Sequence, residues 1–279
     1  MKERVSLKKT ASAMILAVIV LVLAQLIASF LGNSLVSLGL PVWCGNVCYA
    51  LVTVTITLAS VAFFGKKLLG ASAKECKLGR PFVRPLWILS AFVMPALVIG
   101  LLLLTPGHWE NAATGQNVVT WKQAVDYLCF GFAVGITEEA AFRGLIMTAV
   151  EMRWGLRVAI WVPSILFGSL HIIGRNMNFL SMVQVIVAGG MVSVLFSLVT
   201  YESGSIYSSA WMHGIWDIFM VAGVPHVGIA ADSQAIYNYV LDTESFLITG
   251  GDFGVEASLP AVAVYGAFAA LAWYWCGRD

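Results

Sequence analysis

The sequence predicts an all-α fold, a polytopic membrane helix bundle of about eight transmembrane helices with N-terminus and C-terminus cytoplasmic. Three observations predict it: a large apolar excess, apolar runs of spanning length, and a one-sided distribution of lysine and arginine. Of 279 residues, 59% are hydrophobic and only 11% are charged, and the mean hydropathy is +0.86. A soluble domain carries roughly 25% charged residues. A water-soluble core of this length cannot hide so much apolar surface, so lipid is the expected solvent and the first expected partner. Lys+Arg (16) nearly balances Asp+Glu (15), which gives no reason to expect nucleic acid.

A spanning helix needs about 20 mostly apolar residues. Eight segments qualify in order: 11–31, 45–64, 86–105, 123–151, 158–173, 179–200, 205–222 and 258–276. The first follows Lys2, Arg4, Lys8 and Lys9. Its apolar run exceeds the ~7–15 residues of a signal-peptide core, and no A-x-A cleavage site follows, so it reads as a retained helix. The second starts beside Cys44 and Cys48, which read as packing residues; the five cysteines show no zinc-like pairing, and nothing supports a disulfide. The fourth is long and charged, so part of it should tilt or protrude. The fifth and seventh are short, and Pro163 should kink the fifth. The stretch 223–257 holds Asp232, Asp242, Glu244, Asp252 and Glu256 without a lysine or arginine, which suits an external loop with a lid-like or re-entrant element. No repeat, linker or second domain is visible. Residues 1–279 form one transmembrane domain, with its chemistry in 123–222.

Charge tests the layout. With the N-terminus inside, the cytoplasmic pieces hold Lys2, Arg4, Lys8, Lys9, Lys66, Lys67, Lys74, Lys77, Arg80, Arg84, Arg153, Arg157 and Arg278. The external pieces hold Lys122 and Arg175, and Arg143 lies within a helix. The positive-inside rule asks for this bias.

Several ionisable residues lie where lipid should be. The fourth span contains Glu138, Glu139 and Arg143, the fifth ends at His171, and the seventh contains His213 and Asp217. Each charge at mid-membrane costs about 2.5–3.5 kcal/mol on insertion scales, so the set must satisfy itself or meet water. At ~1.5 Å per residue, Glu138 and His171 both lie about 20 Å from the cytoplasmic turn joining their helices, and His213 and Asp217 lie about 12 and 18 Å along the seventh. All fall in one layer. Glu139 and Arg143 are spaced i, i+4 with the acid first and can neutralise each other. Glu138 lies about 100° around the helix and can face another neighbour. Phe167 and His171 share a face, as do His213 and Asp217, so Asp217 can orient or charge the imidazole.

This set suits amide hydrolysis. A glutamate and a histidine can activate water, and a second histidine can stabilise the oxyanion. Glu138, His171 and His213 could instead hold a zinc with one open position. No H-E-x-x-H is present and the three come from three helices, so no cofactor is favoured and zinc remains an alternative.

The three clusters resemble the motifs of the type II CAAX prenyl endopeptidase and bacteriocin-processing family, known as CPBP or Abi. Glu138-Glu139-Ala140-Ala141-Phe142-Arg143 is similar to E-E-x-x-x-R, Phe167-Gly168-Ser169-Leu170-His171 to F-x-x-x-H, and His213-Gly214-Ile215-Trp216-Asp217 to a histidine followed four residues later by Asn or Asp. The ordered triplet spans roughly a third of the chain. The resemblance implies about eight spans and an intramembrane peptidase with its site open to the cytoplasm. It implies that Glu138 and His171 activate water, that His213 and Asp217 shape the oxyanion site, and that Glu139, Arg143 and Phe167 support them. Asp217 replaces the commoner Asn, and an ionised Asp cannot donate to an oxyanion. The expected partner is a protein or peptide substrate cut near its C-terminus, with prenylation an open question, and the expected location is a prokaryotic plasma membrane. The alternatives are a non-catalytic immunity or scaffold protein and a proton-coupled transporter; the repeat symmetry of a transporter is missing.

Overall fold

The computed structural model describes residues 5–111, 119–233 and 235–277. Lys2, Arg4 and Arg278, counted above as cytoplasmic, lie outside the described residues. The helices are α1 (Leu7–Ser37), α2 (Val42–Phe64), α3 (Pro85–Leu102), α4 (Trp121–Glu139), α5 (Met147–Trp154), α6 (Leu156–Leu170), α7 (Phe179–Ser203), α8 (Ile206–Trp216), the short α9 (Phe246–Thr249) and α10 (Leu259–Cys276). Every one of the eight expected segments is helical. Five are long and apolar enough to cross a membrane: α1, α2 with its extension to Leu69, α3, α7 and α10. The shorter α6 is apolar, and α4 carries the carboxylates. Many large apolar side chains point outward, among them Phe30, Leu51, Leu89, Leu104 and Phe179, as a bundle solvated by lipid requires.

The ends follow from local chemistry. The Thr120 hydroxyl accepts from the Gln123 N–H while Gln123 reaches back, a capping box that starts α4. Asn178 caps α7, Ser205 caps α8 and Ser258 caps α10. Gly155, at φ +86°, makes the tight turn from α5 into α6 that a side chain would strain.

The all-α expectation needs one correction. Strands β1 (Gly107–Asn111), β2 (His226–Gly228) and β3 (Tyr237–Leu241) form a small sheet in the order β1-β3-β2. β1 runs antiparallel to β3, and β2 parallel to it. The stretch expected as an external loop is thus partly built from paired strands, which satisfy backbone groups that an irregular segment would leave open.

Contacts sort the connections onto two faces. On the first, Arg153 donates to the Val5 carbonyl, the Ile206 N–H to the Lys77 carbonyl and Ser205 to the Phe82 carbonyl. Arg84 pairs there with Glu202, which also accepts from Trp87 at 2.7 Å. On the second, His108 meets Asp242, the Tyr239 hydroxyl donates to the Thr105 carbonyl, and Asn178 donates to Asp252. Helices meet closely at glycine. A Cβ on Gly135 would lie 2.7 Å from the Ala210 carbonyl, and one on Gly131 2.5 Å from that of Gly214, so α4 and α8 touch backbone to backbone. Gly168 of α6 packs on α7 in the same way, where a Cβ would lie 2.7 Å from the Ile186 carbonyl.

Candidate active site

Those two contacts decide where the polar residues meet. The α4–α8 seam holds Glu138 and Glu139 against His213 and Asp217, and the α6–α7 seam presents His171 beside them. Both carboxylate-bearing helices change pitch here. α4 continues as a π-helical turn over Ala140–Ile146, and α8 does so over Asp217–Val221. Such widened turns often mark functional sites because they re-aim side chains.

Arg143 is fully buried. Its guanidinium donates to Glu139 Oε1 at 2.8 Å and to the carbonyl and hydroxyl of Ser193 at 2.9 and 2.7 Å. It also lies over the rings of Phe167 and Phe196, at 5.2 and 5.5 Å. The expected Glu139–Arg143 pair is therefore formed, and Ser193 on α7 completes it.

His213 faces Asp217 as the i, i+4 spacing expects, and meets a second carboxylate that the spacing did not show. Its Nδ1 lies 3.0 Å from Glu139 Oε1, while Nε2 stands 3.7 Å from Asp217 Oδ2 and 3.9 Å from Glu138 Oε2. Glu139 makes the hydrogen bond that fixes the ring, Asp217 stands at ion-pair distance from the other nitrogen, and the imidazole stacks on Phe196 at 4.9 Å. Asp217 is buried, and its Oδ2 has no hydrogen-bond partner among the described residues. His171 Nδ1 sits 2.8 Å from the Phe167 carbonyl. A carbonyl only accepts, so Nδ1 carries a proton, and in the neutral ring the lone pair is then on Nε2. Phe167 packs edge-on against His213 at 6.0 Å and touches His171 at 4.6 Å, so one ring spaces the two imidazoles.

Glu138, His171, His213 and Asp217 line one cavity of about 170 Å³. Pockets for drug-sized ligands run about 300–1,000 Å³, so this one suits a side chain or a chain end with water. Glu138 is the partly open carboxylate, 22% exposed, where Glu139 is closed off. Among the described residues, no three His, Cys, Asp or Glu side chains form a set that could hold a metal ion, so Glu138, His171 and His213 share a cavity without making a ligand set.

Other walls were not foreseen. Arg175, Trp216, Phe253, Glu256 and Tyr265 also line the cavity. Trp216 Nε1 donates to Glu256 at 3.3 Å, and Arg175 lies over Phe253 at 4.5 Å. Burial pushes the Glu256 carboxyl above its ordinary range, against a smaller opposing effect of the Trp216 hydrogen bond. Glu256 reads in sequence as one more loop acid, and no local spacing ties it to helices forty or more residues away.

The comparisons meet this geometry at its centre. Residues 120–219 match the family model described as Type II CAAX prenyl endopeptidase Rce1-like. The match agrees with the resemblance carried by the three motifs. Comparison with curated proteins and with solved structures finds no match. The Rce1-like segment runs from the cap of α4 into the π-turn after α8 and contains Glu138, Glu139, Arg143, Phe167, His171, His213 and Asp217. Phe253, Glu256 and Tyr265 come from outside it. The family is one of proteases, and the apolar helices suit a membrane protein.

Proposed function

We propose that this protein is an intramembrane endopeptidase that hydrolyses a peptide bond near the C-terminus of a membrane-associated protein or peptide. The observation that carries the proposal is the gathering of Glu138, His171, His213 and Asp217 around one cavity inside an otherwise apolar bundle. Glu138 and His171 Nε2 hold a water between them. As that water's oxygen bonds to the scissile carbonyl carbon, its proton passes to the Glu138–His171 pair and the C=O π electrons move onto oxygen. His213, anchored through Nδ1 on Glu139, presents Nε2–H to this oxyanion in its imidazolium form. Collapse breaks the C–N bond, and the stored proton leaves with the amine. Asp217 acts through His213, whose Nε2 it faces. Glu139 and Arg143 fix the imidazole rather than touch substrate.

The test uses purified protein in detergent with prenylated and unmodified peptides. Positioned acid–base groups contribute roughly 10²–10⁴-fold to rate. Glu138→Ala and His171→Ala should each lose at least the lower figure, whereas Leu104→Ala, on the outer surface, should cleave normally. Full cleavage by both site variants would remove the assignment. Cleavage of prenylated peptides alone would establish the CAAX-type substrate, and equal cleavage of both kinds would remove it.

A further inference from the structure

The two faces of the bundle differ in charge. The first face carries Lys8, Lys9, Lys66, Lys67, Lys74, Lys77, Arg80, Arg84, Arg153 and Arg157 against the acids Glu75, Glu151 and Glu202. The second carries Lys122 and Arg175 as its basic residues among those described, together with Glu110, Asp126, Asp232, Asp242, Glu244 and Asp252. Hydrogen bonds within each face establish the grouping, independently of any alternation rule: Arg153 to Val5 and Ile206 to Lys77 on one, Asn178 to Asp252 and Asn46 to Asp126 on the other.

The cavity belongs to the second face. His171 ends α6 there, Arg175 follows in the α6–α7 connection, and Phe253 and Glu256 lie just before α10. Its α7 wall starts at Val185 in the half of that helix nearest Asn178 and reaches past the middle to Phe196, and its α4 wall, Phe130, Val134 and Glu138, belongs to the stretch that starts on that face at Trp121. The rim residues Arg175, Phe130 and Val221 are exposed. No residue of the basic connections 65–84, 152–157 or 201–205 lines it. The opening and the basic loops thus lie at opposite ends of the bundle. Two expectations from the sequence, a cytoplasmic N-terminus and a site open to the cytoplasm, cannot both hold. The positive-inside bias acts on short loops near the helix ends, which describes the basic connections here.

We infer that the catalytic cavity opens on the extracytoplasmic face of the membrane, so that its substrate is a peptide or membrane-protein segment reached from outside the cytoplasm. The substrate half of this statement rests on the hydrolase reading above. The orientation half rests on the loops alone.

The experiment separates the two. In a background with the five native cysteines replaced by alanine, single cysteines are placed at the exposed positions Lys122, Glu244 and Lys74 and expressed in a bacterial plasma membrane. A membrane-impermeant maleimide applied to intact spheroplasts should label Lys122→Cys and Glu244→Cys, and Lys74→Cys only after permeabilisation. The reverse pattern overturns the orientation. Sealed right-side-out vesicles should then cleave a charged, membrane-impermeant fluorogenic peptide added outside at a rate within about threefold of detergent-solubilised protein, while inverted vesicles should need detergent. Cleavage confined to intact inverted vesicles overturns the inference even if labelling is ambiguous. Absence of cleavage in detergent removes the hydrolase reading, and the labelling still decides the orientation.

Discussion

At the scale of single residues, the site is organised by one buried carboxylate. Glu139 Oε1 takes both the Arg143 guanidinium and His213 Nδ1, tying α4, α7 and α8 together through two side chains. A buried ion pair is weak evidence of net stabilisation, but removing one partner strands the other and costs roughly 3–5 kcal/mol. Arg143→Met should therefore lower unfolding free energy in detergent by about that amount, read as a denaturant midpoint. Ser193→Ala, which removes one donor–acceptor contact and leaves the carbonyl in place, should cost about 1–3 kcal/mol. Arg143→Lys keeps the charge but not the fork that reaches Glu139 and Ser193 together, so it should recover only part of the loss. Equal stability of all three variants and the parent would mean that the pair contributes nothing. The Glu139–Arg143 pair was legible from an i, i+4 spacing. Its extension to Ser193 and His213 was not, because those partners lie fifty and seventy-four positions away and leave no local mark.

At the scale of elements, glycine sets the distances on which the site depends. Gly131 and Gly135 form a G-x-x-x-G pattern on α4, a signal present in the sequence. The pattern marks a helix face that a neighbour can approach closely, but the spacing alone does not say that the neighbour is α8. Gly135→Leu should push α8 away, because its Cβ alone would meet the Ala210 carbonyl at 2.7 Å. Gly100→Leu, where a Cβ meets nothing within 4 Å, is the matched control. The expected result is loss of peptide cleavage by at least tenfold and a lower thermal midpoint for Gly135→Leu, with Gly100→Leu close to the parent, since overpacking costs typically 1–3 kcal/mol. A Gly135→Leu variant that folds and cleaves like the parent would show that backbone contact here is dispensable. The eight segments were readable as helical because most of their apolar runs are continuous in sequence. The π-turns after Glu139 and Trp216 were not, since nothing in a one-dimensional pattern distinguishes an inserted residue from a regular turn.

At the scale of the whole molecule, the bundle's two faces are closed by different means, and the one that carries the cavity mouth is tied by a group that titrates. The basic face is tied by contacts to the buried Glu202 carboxylate, from Trp87 inside and from the half-buried Arg84. The other is tied by a sheet whose strands lie far apart in sequence, with Gly107 opposite Leu241. Pairing over that separation leaves no periodic trace, so apolar runs and spacings gave no sign of the sheet. His108 holds this sheet at its edge, with Nδ1 2.9 Å from Asp242 and Nε2 3.1 Å from Glu110. Hydrogen bonding to Glu110, then to Asp242, raises the His108 pKa above its ordinary value. The folded pKa is higher than the unfolded one, so the contribution is fully present below about pH 6.5 and fades as pH rises through the folded value. All three side chains face water, so added salt should screen the effect. Protection of the β1–β3 amides against hydrogen exchange, corrected for the intrinsic rate, should therefore be higher at pH 6 than at pH 9, and the difference should shrink in 1 M salt. His108→Gln should flatten the profile while the α4–α8 amides stay unaffected. A pH profile unchanged by that substitution would assign the link between the α3–α4 and α8–α10 connections to the backbone ladder alone.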